Sequence, residues 1–302
     1  MILELKHIEK SFGEKKVLTD VSFHAESGHA FGLLGRNGAG KTTAIRILMN
    51  VFPANHGEVL IDSRPISYKN IGIGYLPEER GLYPKKPILD QLIYFAELKG
   101  MSAKSAVRSI DRWLERLGMT EYRTRRLDTL SKGNQQKIQL ITALAHNPDI
   151  IILDEPFSGL DPVNAMLLKD VVKEQIQNGK IVLFSSHQMN YIEEFCDSIA
   201  ILNNGKIAIQ GDLNQIKRNY PRNKLVVRSD ETAKIASDFG AQCSTAENGS
   251  LLLTLSSEHE KKDVMRRLIE TYDIDEVKVF EPSLNDIFVE YAADESEKEA
   301  ER

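Results

Sequence analysis

The sequence predicts an α/β protein, a mainly parallel sheet covered by helices and followed by a small α+β module, on three observations. Over the first 220 residues, short apolar runs bounded by turn residues alternate with stretches of helical periodicity, as expected of strands joined by helical crossovers. Three of these runs lead directly into polar groups: FGLL (Phe31 to Leu34), IIIL (Ile150 to Leu153) and IVLFSS (Ile181 to Ser186). Ligands bind just past the carboxyl ends of strands in open sheets of this kind. Past Pro221 the pattern changes to KLVVRS, a strand around Cys243 joined through ENGS to LLLTLS, and DEVKVFE, interleaved with ETAKIASDFG and EHEKKDVMRRLIETY. The order is βαββαβ, the split βαβ plan, with Asn248-Gly249 as the hairpin turn and SLNDIFVEYA as a final helix.

Between the first and second of the three strands, residues 87 to 128 read as an inserted helical subdomain. PILDQLIYFAELKG and SAVRSIDRWLERLG carry apolar residues at three- and four-residue spacing, with Gly100 and Gly118 as C-terminal stops. Trp113 shares a helical face with Leu117 and is expected in the core. LSKGNQQK (Leu130 to Lys137) then opens a helix whose Ile138, Ile141 and Ala145 recur at helical spacing. A start rich in small polar residues offers unpaired amides and the positive end of a helix dipole to an anion, yet no phosphate loop is adjacent in sequence. The expected division is residues 1–220 with the helical subdomain at about 87–132, an accessory or regulatory module at 221–293, and a charged, solvated tail at 294–302.

Composition narrows the function. Hydrophobic residues make up 41% of the 302, enough for a sizeable core, and 39 basic against 44 acidic residues leave no general electrostatic case for nucleic-acid binding. The basic cluster Arg123, Arg125 and Arg126 reads as a solvated face. Cys196 and Cys243 lack metal-ligand spacing, suit a reducing compartment and are expected to be inert. No apolar run approaches the roughly 20 residues that span a bilayer, and MILELKHIEK has no signal-peptide core, so the chain is not expected to cross a membrane itself.

GRNGAGKT (Gly35 to Thr42) fits the phosphate-loop pattern in its required setting, after a strand and before the helical run TAIRILMN. Gly35, Gly38 and Gly40 let the loop curl so that successive amides, Asn37 among them, face a phosphate chain. Lys41 brings a point charge to the β and γ phosphates, and Thr42 offers a hydroxyl to Mg²⁺. In IIILDE, Asp154 is placed to hold the hydrated Mg²⁺ and Glu155 to polarise a water for in-line attack. By itself an Asp-Glu pair after a strand would be a helix cap or a surface pair; beside a phosphate loop it reads as catalytic. In SSHQMNYIEE, either Ser186 or His187 merely caps the helix that starts there, or His187 senses the γ phosphate through its imidazole.

With these motifs in this order, the sequence resembles the nucleotide-binding subunit of an ATP-binding-cassette transporter over roughly its first 220 residues. The resemblance implies the P-loop NTPase fold of that family, with an N-terminal antiparallel β part and a helical subdomain. It makes GRNGAGKTT, through Thr43, the phosphate loop, SGLD (Ser158 to Asp161) the dimer-contact loop, His187 the switch histidine and Phe12 the ring that stacks on adenine. It also supplies the anion for LSKGNQQK, which stands where the family's Leu-Ser-Gly-Gly-Gln signature lies. Such subunits pair head to tail, so Ser131 and Gly133 would meet the γ phosphate of ATP held by a second copy; Lys132 and Asn134 depart from the signature. In YLPEERGLYP, Glu78 stands where the family carries a Gln that touches Mg²⁺, as a ligand in its place or as a loop residue.

The implied activity is ATP hydrolysis with Mg²⁺. The implied partners are a homodimer or paired cassette and a separate integral-membrane permease, with no nucleic acid. The implied location is cytoplasmic, on the inner face of the membrane. Together with LSKGN and the ending EPSLNDIFVEYA, the YLPEERGLYP loop is similar to bacterial exporters of the sodium-extrusion, drug and antibiotic type. The alternative, a soluble cassette ATPase acting on nucleic acid or the ribosome, has against it the single cassette, the acidic charge and the lack of a long coiled-coil insertion.

Overall fold

A long hairpin, β1 (Ile2–Phe12) and β2 (Lys15–Glu26), opens the chain and pairs Phe12 with Lys15 at its tip. These coordinates come from a computed structural model that describes residues 1–79, 81–158, 160–245 and 249–292. After the hairpin, β3 (Ala30–Leu34) leads through the Gly-rich loop into α1 (Lys41–Leu48). The next strands, β4 (His56–Ile61) and β5 (Arg64–Pro65), complete an antiparallel sheet of order β2-β1-β4-β5. From β6 (Ile73–Leu76) the chain enters three helices, α2 (Ile88–Leu98), α3 (Ala103–Arg116) and α4 (Lys132–Leu144). It returns as β7 (Ile150–Asp154), α5 (Pro162–Gln177), β8 (Ile181–Ser185), α6 (Met189–Phe195), β9 (Ser198–Asn203) and β10 (Lys206–Asp212). The second sheet has the order β10-β9-β3-β8-β7-β6 and is parallel except at the β9–β10 hairpin.

Every residue of β3, β7 and β8 is buried, which explains why these strands read as unbroken apolar runs and not as alternating ones. Gly100 and Gly118 have φ of 88° and 65° one residue past the caps of α2 and α3, so both stop their helices in the left-handed region. Trp113 departs from expectation. The buried face of α3 is centred on Ala106, Ile110 and Leu114, and Trp113, about 100° around from Leu114, is only half-buried beside Arg112, Arg116 and Gln175. Two members of the basic cluster are ion-paired locally, Arg123 with Asp111 and Arg126 with Asp128, and the Arg125 guanidinium lies 5.2 Å from the Tyr122 ring centre.

The remaining elements are α7 (Leu213–Asn219), β11 (Lys224–Arg228), α8 (Thr232–Phe239), β12 (Cys243–Thr245), β13 (Leu251–Thr254), α9 (Lys261–Thr271), β14 (Glu276–Val279) and α10 (Leu284–Ala292). Their sheet, β12-β13-β11-β14, has antiparallel neighbours throughout, the expected βαββαβ plan. Leu225, Val227, Ile235, Leu251, Leu253 and Leu268 form its own core. The compact units are Met1–Leu213 together with the chain from Phe288 on, and Asn214–Ile287. The division thus falls after Leu213, at the first residue of α7, and not at Pro221, because the change in sequence pattern marks the first strand and not the helix ahead of it. The end of α10 groups with the first unit, where Asn203 Nδ2 donates to the Tyr291 carbonyl at 3.2 Å. Asn248 and the tail 294–302 lie outside the described residues.

Both cysteines are free, and burial pushes both thiols up from their ordinary value, which disfavours the thiolate. Among the described residues no helix is long and apolar enough to cross a membrane.

Candidate functional site

The loops that follow β3, β6, β7 and β8 converge on a cleft of about 610 Å³. Asn37, Gly38, Gly40, Lys41, Thr42 and Thr43 form one wall, built from the Gly-rich loop and the first turn of α1. A helix start directed at a cleft presents unpaired amides to anions. Gly40 precedes α1 with φ 112°, and a Cβ there would stand 2.6 Å from the Leu18 side chain, so glycine alone fits. Gly35 does not line the cleft; its carbonyl accepts from Lys41 Nζ at 2.5 Å, and a Cβ would come within 2.5 Å of the Leu202 carbonyl oxygen. Gly35 therefore acts through packing against β9 and through Lys41. Burial pushes the Lys41 ammonium below its ordinary value, and Glu155, Asp154 and Glu78 oppose that shift.

The lining also carries those three carboxylates. Asp154, 5% exposed, accepts from the Tyr75 hydroxyl at 3.3 Å. The hydroxyl of Ser185, its ladder partner, lies close to the carboxylate but makes no geometrically sound hydrogen bond of its own. Glu155 has φ 48°, a left-handed conformation unusual for a residue with a side chain, of the kind that clusters at functional sites. Its Oε1 accepts from the His187 amide at 2.8 Å and from His187 Nδ1 at 2.6 Å, and its Oε2 accepts from Ser186 Oγ at 2.8 Å. Nδ1 must carry the proton to donate to a carboxylate. The His187 ring is thus engaged with Glu155 and does not cap α6, whose entry is organised by Ser186 Oγ accepting from the Gln188 amide at 3.1 Å.

No cluster of His, Cys, Asp or Glu among the described residues could hold a metal ion unaided. What the cleft offers is Thr42, buried Asp154 and nearby Glu78 beside an anion-binding loop. This fits Mg²⁺, which binds through one or two carboxylates plus phosphate oxygens and keeps several waters. Burial pushes the Asp154 carboxyl above its ordinary range, and the charge of Glu155 adds to the shift. A carboxyl that holds its proton more tightly folded than unfolded favours the fold most at acid pH. That contribution falls as pH rises through the ordinary carboxylate range toward the raised value. Nucleotide-free Asp154→Asn should therefore melt above the parent at pH 7, with a smaller gap near pH 4, while losing Mg²⁺-dependent turnover. Identical melting curves at pH 7 would remove this account of Asp154.

Besides Gly35, three expected contributors lie outside this lining. Phe12 is 50% exposed, packs edge-on against Phe52 at 5.4 Å and reaches the cleft only through its ladder partner Lys15. The Lys10 ammonium lies 5.2 Å from its ring centre, and Phe12 is not part of the cleft wall. Ser131 caps α4, accepting from the Asn134 amide at 3.3 Å, and Gly133 sits against Asn164 and Asp161 on α5. Neither lines the cleft. Asp161 caps α5 through the amides of Val163 and Asn164, both at 3.0 Å, while Gly159 lies outside the described residues.

Sequence reasoning missed Lys15, Lys16, Arg36, Asn204 and Gly205, which also line the cleft. Lys15-Lys16 follow Phe12 closely, so a cationic pair beside the expected base-stacking ring was a usable signal. Asn204-Gly205 is the turn of the β9–β10 hairpin, joined to the Gly-rich loop by Gly205 N donating to the Ala39 carbonyl at 3.1 Å, and no local pattern announces that.

The family described as "ABC transporter" matches residues 18–158, and that described as "ATP-binding protein DrrA1-3-like, C-terminal domain" matches residues 211–292. Among curated proteins, "Uncharacterized ABC transporter ATP-binding protein YhaQ" of Bacillus subtilis (strain 168) is 41% identical, over 96% of this chain and 98% of its own. "Linearmycin resistance ATP-binding protein LnrL" of the same organism is 31% identical, over 70% and 69%. A solved structure described as "Structure of ATP binding subunit of ABC transporter" superposes with TM-score 0.67 and 29% identity, over 73% of this chain and 93% of its own.

Proposed function

The chain belongs to the ABC transporter family of ATP-binding proteins, and from that premise we propose that two copies close on two ATP molecules to power export through a separate membrane permease. The carrying observation is that one copy holds half of the required contacts. The cleft gathers the phosphate loop, Asp154, Glu155 and His187, whereas Ser131 and Gly133 stand elsewhere on the first unit. A second copy placed head to tail would bring its α4 start to the γ phosphate.

ATP hydrolysis requires little covalent chemistry from the protein, so positioning and charge neutralisation carry it. Amides of residues 37–43 wrap the phosphates and Lys41 meets the β and γ groups. Mg²⁺, held by Thr42 and Asp154 with Glu78 beside them, would neutralise developing charge on the phosphate oxygens. Glu155 orients and polarises the attacking water while His187 holds Glu155 and faces the γ phosphate. Phe12, exposed at the hairpin tip, stacks on adenine.

Thr42, Glu78 and Asp154 also line a second groove, of about 700 Å³, rimmed by Met49, Val51, Leu82, Phe95 and Leu98. Val51 and Leu98 are 61% and 64% exposed, an apolar rim suited to a helical segment of the permease, and Glu78 would report the metal site to it. Export draws support from the resistance protein named among the relatives and from the DrrA-like C-terminal match. Tagged protein drawn from its native membranes should carry a polytopic membrane protein, and Leu98→Glu should lose that partner while binding ATP normally. Capture of RNA in place of a membrane protein would overturn the transport reading.

A further inference from the structure

The hydrogen bonds around Glu155 assign a part to a residue that neither motif nor match singles out. We propose that Ser186 is a positioning residue for the water-polarising carboxylate, fixing Oε2 as His187 fixes Oε1. This rests on the reading of Glu155 given above.

A carboxylate offers about four acceptor sites, two on each oxygen. On Oε1 both are taken by the amide and Nδ1 of His187. On Oε2 one is taken by Ser186 Oγ, which leaves a single acceptor site on a residue that lines the cleft, and that is the site assigned to the water. The direction of the Ser186 bond is forced. The Gln188 amide can only donate, so the hydroxyl accepts there, and its one proton goes to the carboxylate, which can only accept. Ser186 is 2% exposed, and the Glu155 amide donates to the adjacent Ser185 carbonyl at 2.8 Å, so backbone and side chain hold the two loops in one register. Without the hydroxyl, Glu155 would keep its charge and its His187 contacts but could rotate Oε2 away from the water.

The test uses the full chain. A hydrogen bond to a charged group contributes enough that Ser186→Ala should lower kcat for MgATP about tenfold. KM for ATP should stay within about twofold, and Ser186→Thr, which keeps the hydroxyl, should restore most of the rate. If Ser186 acts through Glu155, Ser186→Ala should add no further loss to Glu155→Ala. In urea unfolding of the nucleotide-free proteins, the destabilisations of the two single variants should not sum in the double variant. Unchanged kcat in Ser186→Ala, a loss expressed in KM, or additive unfolding energies would reduce Ser186 to a turn residue that accepts from the Gln188 amide ahead of α6 and overturn the proposal. Full turnover in Glu155→Ala would instead overturn the reading of Glu155, so the two failures are distinguishable.

Discussion

Glu155→Gln is expected to bind MgATP at least as tightly as the parent, to lose at least about a hundredfold in turnover, and to accumulate as a nucleotide-bound dimer. The carboxylate accepts three hydrogen bonds, all from Ser186 and His187, so a carboxamide of the same shape stays anchored if its oxygen keeps the His187 donors. What disappears is the charge that draws a proton from water. Binding should survive because the groups that meet the phosphates, the loop amides and Lys41, do not lean on Glu155 through any hydrogen bond: Lys41 donates to the carbonyls of Gly35 and Arg36. Removing a negative charge from a cleft that already holds Asp154 and Glu78 also lessens repulsion toward the phosphates. Single-turnover hydrolysis and size-exclusion chromatography with ATP check both halves, and undiminished turnover would remove Glu155 from its role.

The contrast between Glu155 and Ser186 marks how far the sequence could be read. The strands under the cleft were legible because a strand buried on both faces reads as an apolar run, as IIIL does before Asp154, and the phosphate loop because its glycines, Lys41 and Thr42 all fall in one short segment. The helix stops at Gly100 and Gly118 were legible for the same local reason. Trp113 was misplaced because helical spacing gives a face but not its edges, and Trp113 stands at the edge. The Glu155–Ser186 bond joins residues 31 apart, and Asn204-Gly205 enters the cleft from a hairpin formed after every motif has passed. Contacts of that kind are set by the β7–β8 and β9–β10 ladders, and no periodicity within one segment encodes them. The division at the start of α7 escaped for a related reason, since a helix that begins a unit carries no strand pattern to mark it.

Gly133→Asp should abolish hydrolysis while leaving ATP binding by the isolated monomer largely intact, and the structure separates two reasons for that loss. A Cβ at Gly133 would stand 2.8 Å from Asn164 Nδ2 and 3.7 Å from Asp161 Oδ2, so any side chain must displace the Asn164 amide from its bond to Asp161. A carboxylate adds charge in the first turn of α4, a place the helix dipole favours by about 0.3–1 kcal/mol, partly offset by repulsion from Asp161. Within one copy these effects are modest and fall outside the cleft lining, so monomer affinity should hold. Across a dimer the same carboxylate would face the γ phosphate, where two negative charges about 4 Å apart repel by about 4 kcal/mol at an effective dielectric near 20, enough to prevent closure. Gly133→Ala carries the steric part without the charge and should retain most of the activity, and Lys132→Gly should be mild because only the amides and Ser131 are asked to meet the phosphate. Equal losses in Gly133→Ala and Gly133→Asp would trace the effect to Asn164 packing. Loss of monomer binding in Gly133→Asp would return LSKGNQQK to an ordinary helix cap. If the charge alone separates the two variants, the anion met by this helix start belongs to a second copy.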